Sequence, residues 1–197
     1  IDGAHAPGQI DLRLDELGAD FYTGNLHKWL CTPKGTAFIF ARPEHQPLIE
    51  PLIVSWGWDS PYSGSKALVD FVEMQGTRDL SAFLAVPDAI QFFEDNDWSL
   101  VRSQCHALAV WVLENITNLT GLPPLSPVND GWFSQMVSVP LPGSVQPADL
   151  HRRLFEEHHI EVPVLDWAGH KLVRVSIQGY NTPEEAETLV DSLRALL

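Results

Sequence analysis

The sequence predicts an α/β chain in two parts, residues 1–97 and residues 98–197, the second a smaller α+β unit. Three observations carry this expectation. Short apolar runs bounded by glycine and proline recur in the first part and read as strands. From Trp98 to about Asn118, apolar residues (Val101, Leu108, Trp111, Val112, Ile116) recur at helical spacing, long enough for a helix that links two domains. Beyond Gly121-Leu122-Pro123-Pro124 the pattern changes to strand, helix, strand, strand, helix.

Taken in order, residues 18–24 form a short buried strand after a polar connection. Cys31-Thr32-Pro33-Lys34-Gly35 is a turn, and residues 36–40 are a second strand, stopped by Pro43, because proline cannot donate to a ladder. Residues 46–66 hold three prolines and two glycines and are expected to be mostly irregular. Asp79-Leu80-Ser81 starts a helix to about Glu94, with Pro87 either in its first turns or at a kink. In the second part, residues 136–141 are a strand, 147–158 a helix, and 160–165 and 172–177 strands. Thr182-Pro183-Glu184-Glu185 opens a last helix, with proline at its first position.

Composition narrows the function classes. The 197 residues are 45% hydrophobic and 19% charged, which is ordinary for a globular chain with a sizeable core. A net charge of −14 with no basic patch argues against nucleic acid as a partner. No apolar run is long enough for a membrane span, and no secretory signal opens the chain. Cys31 and Cys105 are isolated, which fits neither a disulfide framework nor a paired-cysteine metal site. A cytoplasmic location is expected, so the glycosylation patterns at Asn115 and Asn118 are read as chance. His158, His159 and His170 have no carboxylate or cysteine at ligand spacing and are expected to be solvated helix-end and turn residues rather than metal ligands. The seven tryptophans are expected in core or cleft, with Trp56 and Trp58 facing a substrate pocket, and Cys31 is expected to pack. Only Ile1 precedes Asp2-Gly3 where a strand needs several apolar residues, so the chain is expected to be the later part of a longer protein.

Several motifs in fixed order support a more specific reading. Asp2-Gly3-Ala4-His5, Gly18-Ala19-Asp20-Phe21-Tyr22, His27-Lys28-Trp29, Pro33-Lys34-Gly35, Gly76-Thr77-Arg78-Asp79 and Val173-Arg174-Val175-Ser176 together resemble the class V aminotransferase family of pyridoxal phosphate (PLP) enzymes. Ser55-Trp56-Gly57-Trp58, Leu84-Ala85-Val86-Pro87, Ile160-Glu161-Val162-Pro163 and Tyr180-Asn181 are similar to its isopenicillin N epimerase-like branch. The resemblance implies PLP fold type I, with the remainder of the large mixed-sheet domain followed by a small α+β C-terminal domain.

It also implies roles. Lys28 forms the Schiff base with the cofactor aldehyde, and Asp2 pairs with the pyridinium nitrogen. His5 reaches the 3′-oxygen, Asn25 and His27 lie at phosphate-contacting positions, and Gly76-Thr77 touches the phosphate bound by the neighbouring subunit of a homodimer. Arg174 holds the α-carboxylate of an amino-acid substrate, for which a bidentate guanidinium is well suited. Each residue also has a plainer reading: a turn-capping Asp2, a solvated or core-edge His5, a surface Lys28, a helix-start turn at Thr77, an exposed strand position for Arg174. Relatives that desulfurate cysteine carry a catalytic cysteine before the substrate arginine, whereas Asp166-Trp167-Ala168-Gly169-His170-Lys171 contains none. Epimerisation, transamination and elimination from cysteine-type substrates remain open. The alternative of another class is a truncated, non-catalytic dimerisation or binding scaffold.

Overall fold

The computed structural model describes residues 1–61, 64 and 67–197. The chain divides into two compact units, Ile1–Glu94 and Asp95–Leu197.

The first unit is organised by a small mixed sheet. Strands β1 (Phe21–Asn25) and β2 (Ala37–Ala41) pair antiparallel, with Thr23 opposite Ile39. Residues 1–3 run parallel to β1 on its other side: the Gly3 amide donates to the Thr23 carbonyl at 2.8 Å, and the Thr23 amide to the Ile1 carbonyl at 3.1 Å. β1 begins later than the expected strand and alternates rather than being buried throughout, with Tyr22 inside and Phe21 and Thr23 outside, because successive side chains of a strand face opposite ways. The Tyr22 ring stacks on Phe38 at 6.1 Å.

A 3-10 helix, Pro43–Leu48, follows β2. The described residues after it are irregular up to α1 (Ala67–Glu73), a short helix the pattern did not predict. Within the expected irregular stretch, residues 62, 63, 65 and 66 lie outside the described residues. The single helix expected from Asp79 is two: α2 (Ser81–Leu84) and α3 (Val86–Asp95). The Asp79 carboxylate accepts from the Ser81 amide at 2.8 Å, and that bond holds its pKa below the usual carboxylate range. Pro87 sits in the first turn of α3, where its missing N–H costs no intrahelical bond.

The second unit packs three helices with a three-stranded antiparallel sheet ordered β3 (Met136–Leu141), β5 (His170–Ser176), β4 (Val164–Trp167). Helix α4 (Trp98–Thr120) is capped by Asp97, whose side chain accepts from the Leu100 amide, and ends at Gly121, φ 69°. That left-handed turn suits glycine, which lacks a Cβ to clash. One face of α4 (Cys105, Ala109, Val112, Leu113, Ile116) joins Val137, Val139, Val173 and Val175 of the sheet in the core. Leu150 and Leu154 of α5 (Pro147–His158) and Leu189, Val190 and Leu193 of α6 (Pro183–Leu196) complete it. Each fully buried Val or Leu contributes about 1.5–3 kcal/mol of transfer free energy. Helix α6 starts with a reciprocal box: Thr182 Oγ1 accepts from the Glu185 amide, and Glu185 Oε2 from the Thr182 amide.

Four expectations are corrected here. The strand expected at 160–165 starts only at Val164, because the Ile160 amide is used to close the end of α5 on the Leu154 carbonyl at 2.9 Å, with His159 left-handed at φ 57°. His158 is not simply solvated; its Nδ1 meets Ser192 Oγ at 2.9 Å and ties α5 to α6. Of the seven tryptophans only Trp29 is buried, while Trp56, Trp132 and Trp167 are more than 60% exposed. Cys31 is exposed with φ 60° rather than packed. No helix among the described residues is long and apolar enough to cross a membrane.

Candidate active site

Two chain crossings at one end of the mixed sheet build the site. Residues 1–3 and β1 run parallel, so both leave the sheet at their carboxyl ends side by side, the position where open α/β sheets bind ligands. One exit carries Asp2 and His5; the other carries His27, Lys28 and Trp29. The structure brings Lys28 Nζ to 3.4 Å from His5 Nε2, and the Trp29 indole N–H donates to His5 Nδ1 at 3.0 Å. Lys28 is exposed, His5 half-buried and Trp29 buried.

Each exit is pinned. On the first, Asp2 Oδ1 accepts from the Ala4 amide at 3.0 Å, and the Gln9 side chain donates to the His5 carbonyl at 2.7 Å. Asp2 is therefore the turn-forming carboxylate of its plainer reading, and it is also exposed at the site. Its charge and, more strongly, burial of the phenol push the Tyr22 pKa up. A Cβ on Gly3 would lie 1.9 Å from the Tyr22 hydroxyl, so a larger residue there has to displace the buried Tyr22 ring. On the second exit, the Thr36 carbonyl accepts both the Leu26 amide at 3.1 Å and His27 Nδ1–H at 2.7 Å. A carbonyl only accepts, so His27 carries its proton on Nδ1 and turns Nε2 to the other side. Buried Thr32 and Thr36 hydroxyls bond to each other, and Thr36 Oγ1 donates to the Pro33 carbonyl. The two exits touch at Gly8, φ 90°, where a Cβ would lie 2.5 Å from the Trp29 carbonyl carbon and 2.6 Å from the Leu30 nitrogen.

The remaining expected residues lie elsewhere. Asn25 ends β1 opposite Ala37, half-buried. Thr77 is exposed in the bend after Gly76 (φ 101°), and no described hydrogen bond links it to the Lys28 cluster. Arg78 beside it does not pair with Asp79; it donates to Gln75 and to the Glu73 carbonyl and lies 5.1 Å above the Phe83 ring. A cleft of about 890 Å³, lined by Gly35, Phe38, Trp56, Asp70, Gly76 and Arg78 among others, contains none of Asp2, His5 and Lys28. Trp56 faces this cleft as expected of a pocket residue, whereas Trp58 packs edge-on against Phe71 and does not line it.

In the second unit, Arg174 stands in central strand β5 opposite Ser138, half-buried. Its Nε is buried and has no hydrogen-bond partner among the described residues. A buried guanidinium nitrogen without an acceptor is costly, and an anion arriving at the strand face relieves that cost. The stretch before it closes as a hairpin in which Trp167 pairs with His170 across Ala168 (φ 49°) and Gly169 (φ 83°), a two-residue turn with no cysteine.

Sequence reasoning missed Gly8 and the polar role of Trp29. Among the described residues no group of histidines, cysteines and carboxylates is placed to hold a metal.

Comparison with known proteins agrees with this architecture. The family model for Aminotransferase class-V matches residues 1–189. An isopenicillin N epimerase from Amycolatopsis lactamdurans is 37% identical over 205 residues, covering all of this chain and 52% of that protein. Another from Streptomyces clavuligerus is 34% identical over 206 residues, again covering all of this chain and 52% of the relative. Among solved structures, the apo cysteine desulfurase of Thermococcus onnurineus NA1 superposes with a TM-score of 0.80 at 23% identity, over 99% of this chain and 51% of that one. The expected fold type I architecture is thereby borne out. The chain spans about half the length of the curated relatives it matches. With the family matched over nearly its whole length, the chain belongs to the class V aminotransferases.

Proposed function

We propose that this chain forms the lysine-bearing and carboxylate-binding portion of a pyridoxal 5′-phosphate enzyme that acts at the Cα of an amino acid or an amino-acid-derived substrate. One observation carries the reading: Lys28 Nζ lies 3.4 Å from His5 Nε2 where two parallel-paired segments, one of them bearing Asp2, leave the sheet at their carboxyl ends. The donor set fits the cofactor group by group. Lys28 offers the amine for an aldehyde, Asp2 an acceptor for a protonated ring nitrogen, and His5 a ring nitrogen to face the cofactor's hydroxyl. His27 Nε2 and Asn25 are the phosphate-side groups. Thr77 serves the phosphate of a second copy, which makes the working form a homodimer. When bound, the cofactor supplies an electron-withdrawing ring conjugated to the substrate Cα.

The chain's own residues do the rest. Arg174 orients the substrate through its α-carboxylate, with the buried Nε and one terminal nitrogen giving two parallel bonds. Lys28 Nζ takes or returns the Cα proton as a general base and acid. Asp2 keeps the ring nitrogen's proton in place. Return of the proton to the opposite face would give epimerisation, which the two epimerase relatives support. A C–S lyase acting on a cysteine-type substrate is the alternative within enzymes. Desulfuration through a cysteine in the β4–β5 turn is disfavoured, since that turn is Ala168-Gly169. A cytoplasmic location is part of the proposal, carried over from the sequence reading.

The test is to express the full native polypeptide, add pyridoxal phosphate, reduce with borohydride and map the phosphopyridoxyl group by peptide mass. Label on Lys28 is expected. A folded dimer with no label on Lys28 would leave the dimerisation scaffold as the better account.

A further inference from the structure

We propose that Trp29 is a positioning residue that locks the His5 ring in a single tautomer, Nδ1 bare and the proton on Nε2, so that an N–H is aimed at the atoms around Lys28. Its catalytic meaning rests on the proposed function; the lock itself rests on valence and geometry.

An indole N–H is a donor and nothing else. Its 3.0 Å contact with His5 Nδ1 therefore requires a lone pair on that nitrogen. A neutral imidazole with a bare Nδ1 carries its proton on Nε2. Nε2 is the atom that faces Lys28 Nζ at 3.4 Å, a contact in which an Nε2–H donates and the lysine takes part as the neutral amine. A proton moved to Nδ1 would set two donors against each other. Trp29 has no easy way to yield, because its ring is buried and its backbone is pressed against Gly8. His5 is held as well, its carbonyl bonded to Gln9 Nε2 and its turn closed by the Ala6 amide on the Gly3 carbonyl. The result is a directed donor beside the reactive amine. It is suited to an acceptor such as an anionic oxygen of a bound ring, and it cannot present a bare nitrogen there. Without the indole N–H, the requirement for a lone pair on Nδ1 is lifted.

The test reads the ring nitrogens directly in the full native polypeptide, without added cofactor. With histidine and indole nitrogens labelled with ¹⁵N, long-range ¹H–¹⁵N spectra are expected to show Nδ1 of His5 in the unprotonated range and Nε2 in the protonated range. A scalar coupling across the N–H···N bond to Trp29 Nε1 is expected with them. A protonated Nδ1, or an absent coupling, overturns the proposal. In Trp29→Phe, Nδ1 is expected to take up a proton at a pH at least one unit higher than in the wild type. Lys28, which faces the ring, is the same in both proteins, so the shift reports the indole N–H. Replacing Trp29 by benzothienylalanine, with sulfur in place of N–H and nearly the same shape, is expected to give the same rise if the phenylalanine variant does not fold. An unchanged midpoint in a folded variant overturns the lock. If the nitrogen spectra show the lock but Lys28 takes no phosphopyridoxyl label, the proposed function fails and the tautomer assignment stands.

Discussion

Gly8→Ala separates the geometry of the site from the stability of the fold. Two costs fall on this position. The first is conformational: at φ 90° a residue with a Cβ is strained by about 1–3 kcal/mol. The second is a collision with main chain, since the new methyl would lie 2.5–2.6 Å from Trp29 C and O and from Leu30 N. Ordinary contact begins near 3.4 Å, so one exit has to retreat from the other by up to roughly 0.9 Å, and overpacking of this kind adds about 1–3 kcal/mol. Gly35→Ala is the matched control, because Gly35 has φ 98° in the same unit but nothing within 4 Å of its would-be Cβ. Denaturant unfolding of both variants is expected to show Gly8→Ala costing about 1–3 kcal/mol more than Gly35→Ala. Because the displaced backbone is that of Trp29, next to Lys28, phosphopyridoxyl labelling of Lys28 should also slow, and a misplacement near 1 Å can cost about 10²-fold in rate. Equal stability losses in the two variants, with equal labelling, would refute the idea that this contact sets the position of the lysine.

Two further outcomes follow from the site and the core. Arg174→Lys keeps the charge but loses the fork, and one charge-assisted bond is worth about 1.5–3 kcal/mol, so KM for an amino-acid substrate should rise by about 10- to 100-fold with a smaller change in kcat; an unchanged KM would remove Arg174 from the substrate site. The two thiols should differ in alkylation at pH 8. Burial pushes the Cys105 thiol up, only partly offset by a bond from Gln135, so it stays protonated at pH values where a free thiol starts to ionise. Exposed Cys31 is expected to react in the native protein and Cys105 only on unfolding, and mass mapping that finds both modified at equal rates would contradict the packing of α4.

Much of the second unit was legible because its signals are local. Pro147 at the start of α5, the Thr182–Glu185 box and Gly121 are each a cap whose chemistry acts within a few residues. The strand at 160–165 was misread for a related reason: Ile160 and Val162 look like strand residues, but a left-handed His159 gives the Ile160 amide to the end of α5 first. Short α1 spans only seven residues, about two turns, too few for a helical apolar period to show.

The site divides along the same line. Lys28, His27, Asp2, His5 and Arg174 were readable as motif residues, but the contacts around Lys28 join positions far apart in the chain. The bridge between residue 2 and Thr23, and the bond from Trp29 to His5 across 24 positions, depend on how the sheet closes. Trp29 was nevertheless within reach of a physical argument. A tryptophan between a reactive lysine and a leucine is apt to be buried, and a buried indole N–H has to find an acceptor. Among the residues that the motifs already gathered at that end of the sheet, Asp2, His5, Asn25 and His27 were the side chains able to accept. The fold chooses His5 among them, bringing its Nδ1 to 3.0 Å from the indole nitrogen. Reading Trp29 as a donor in search of a lone pair, rather than as apolar bulk, narrows its partner to a few side chains, and the closure of the sheet selects His5 from them.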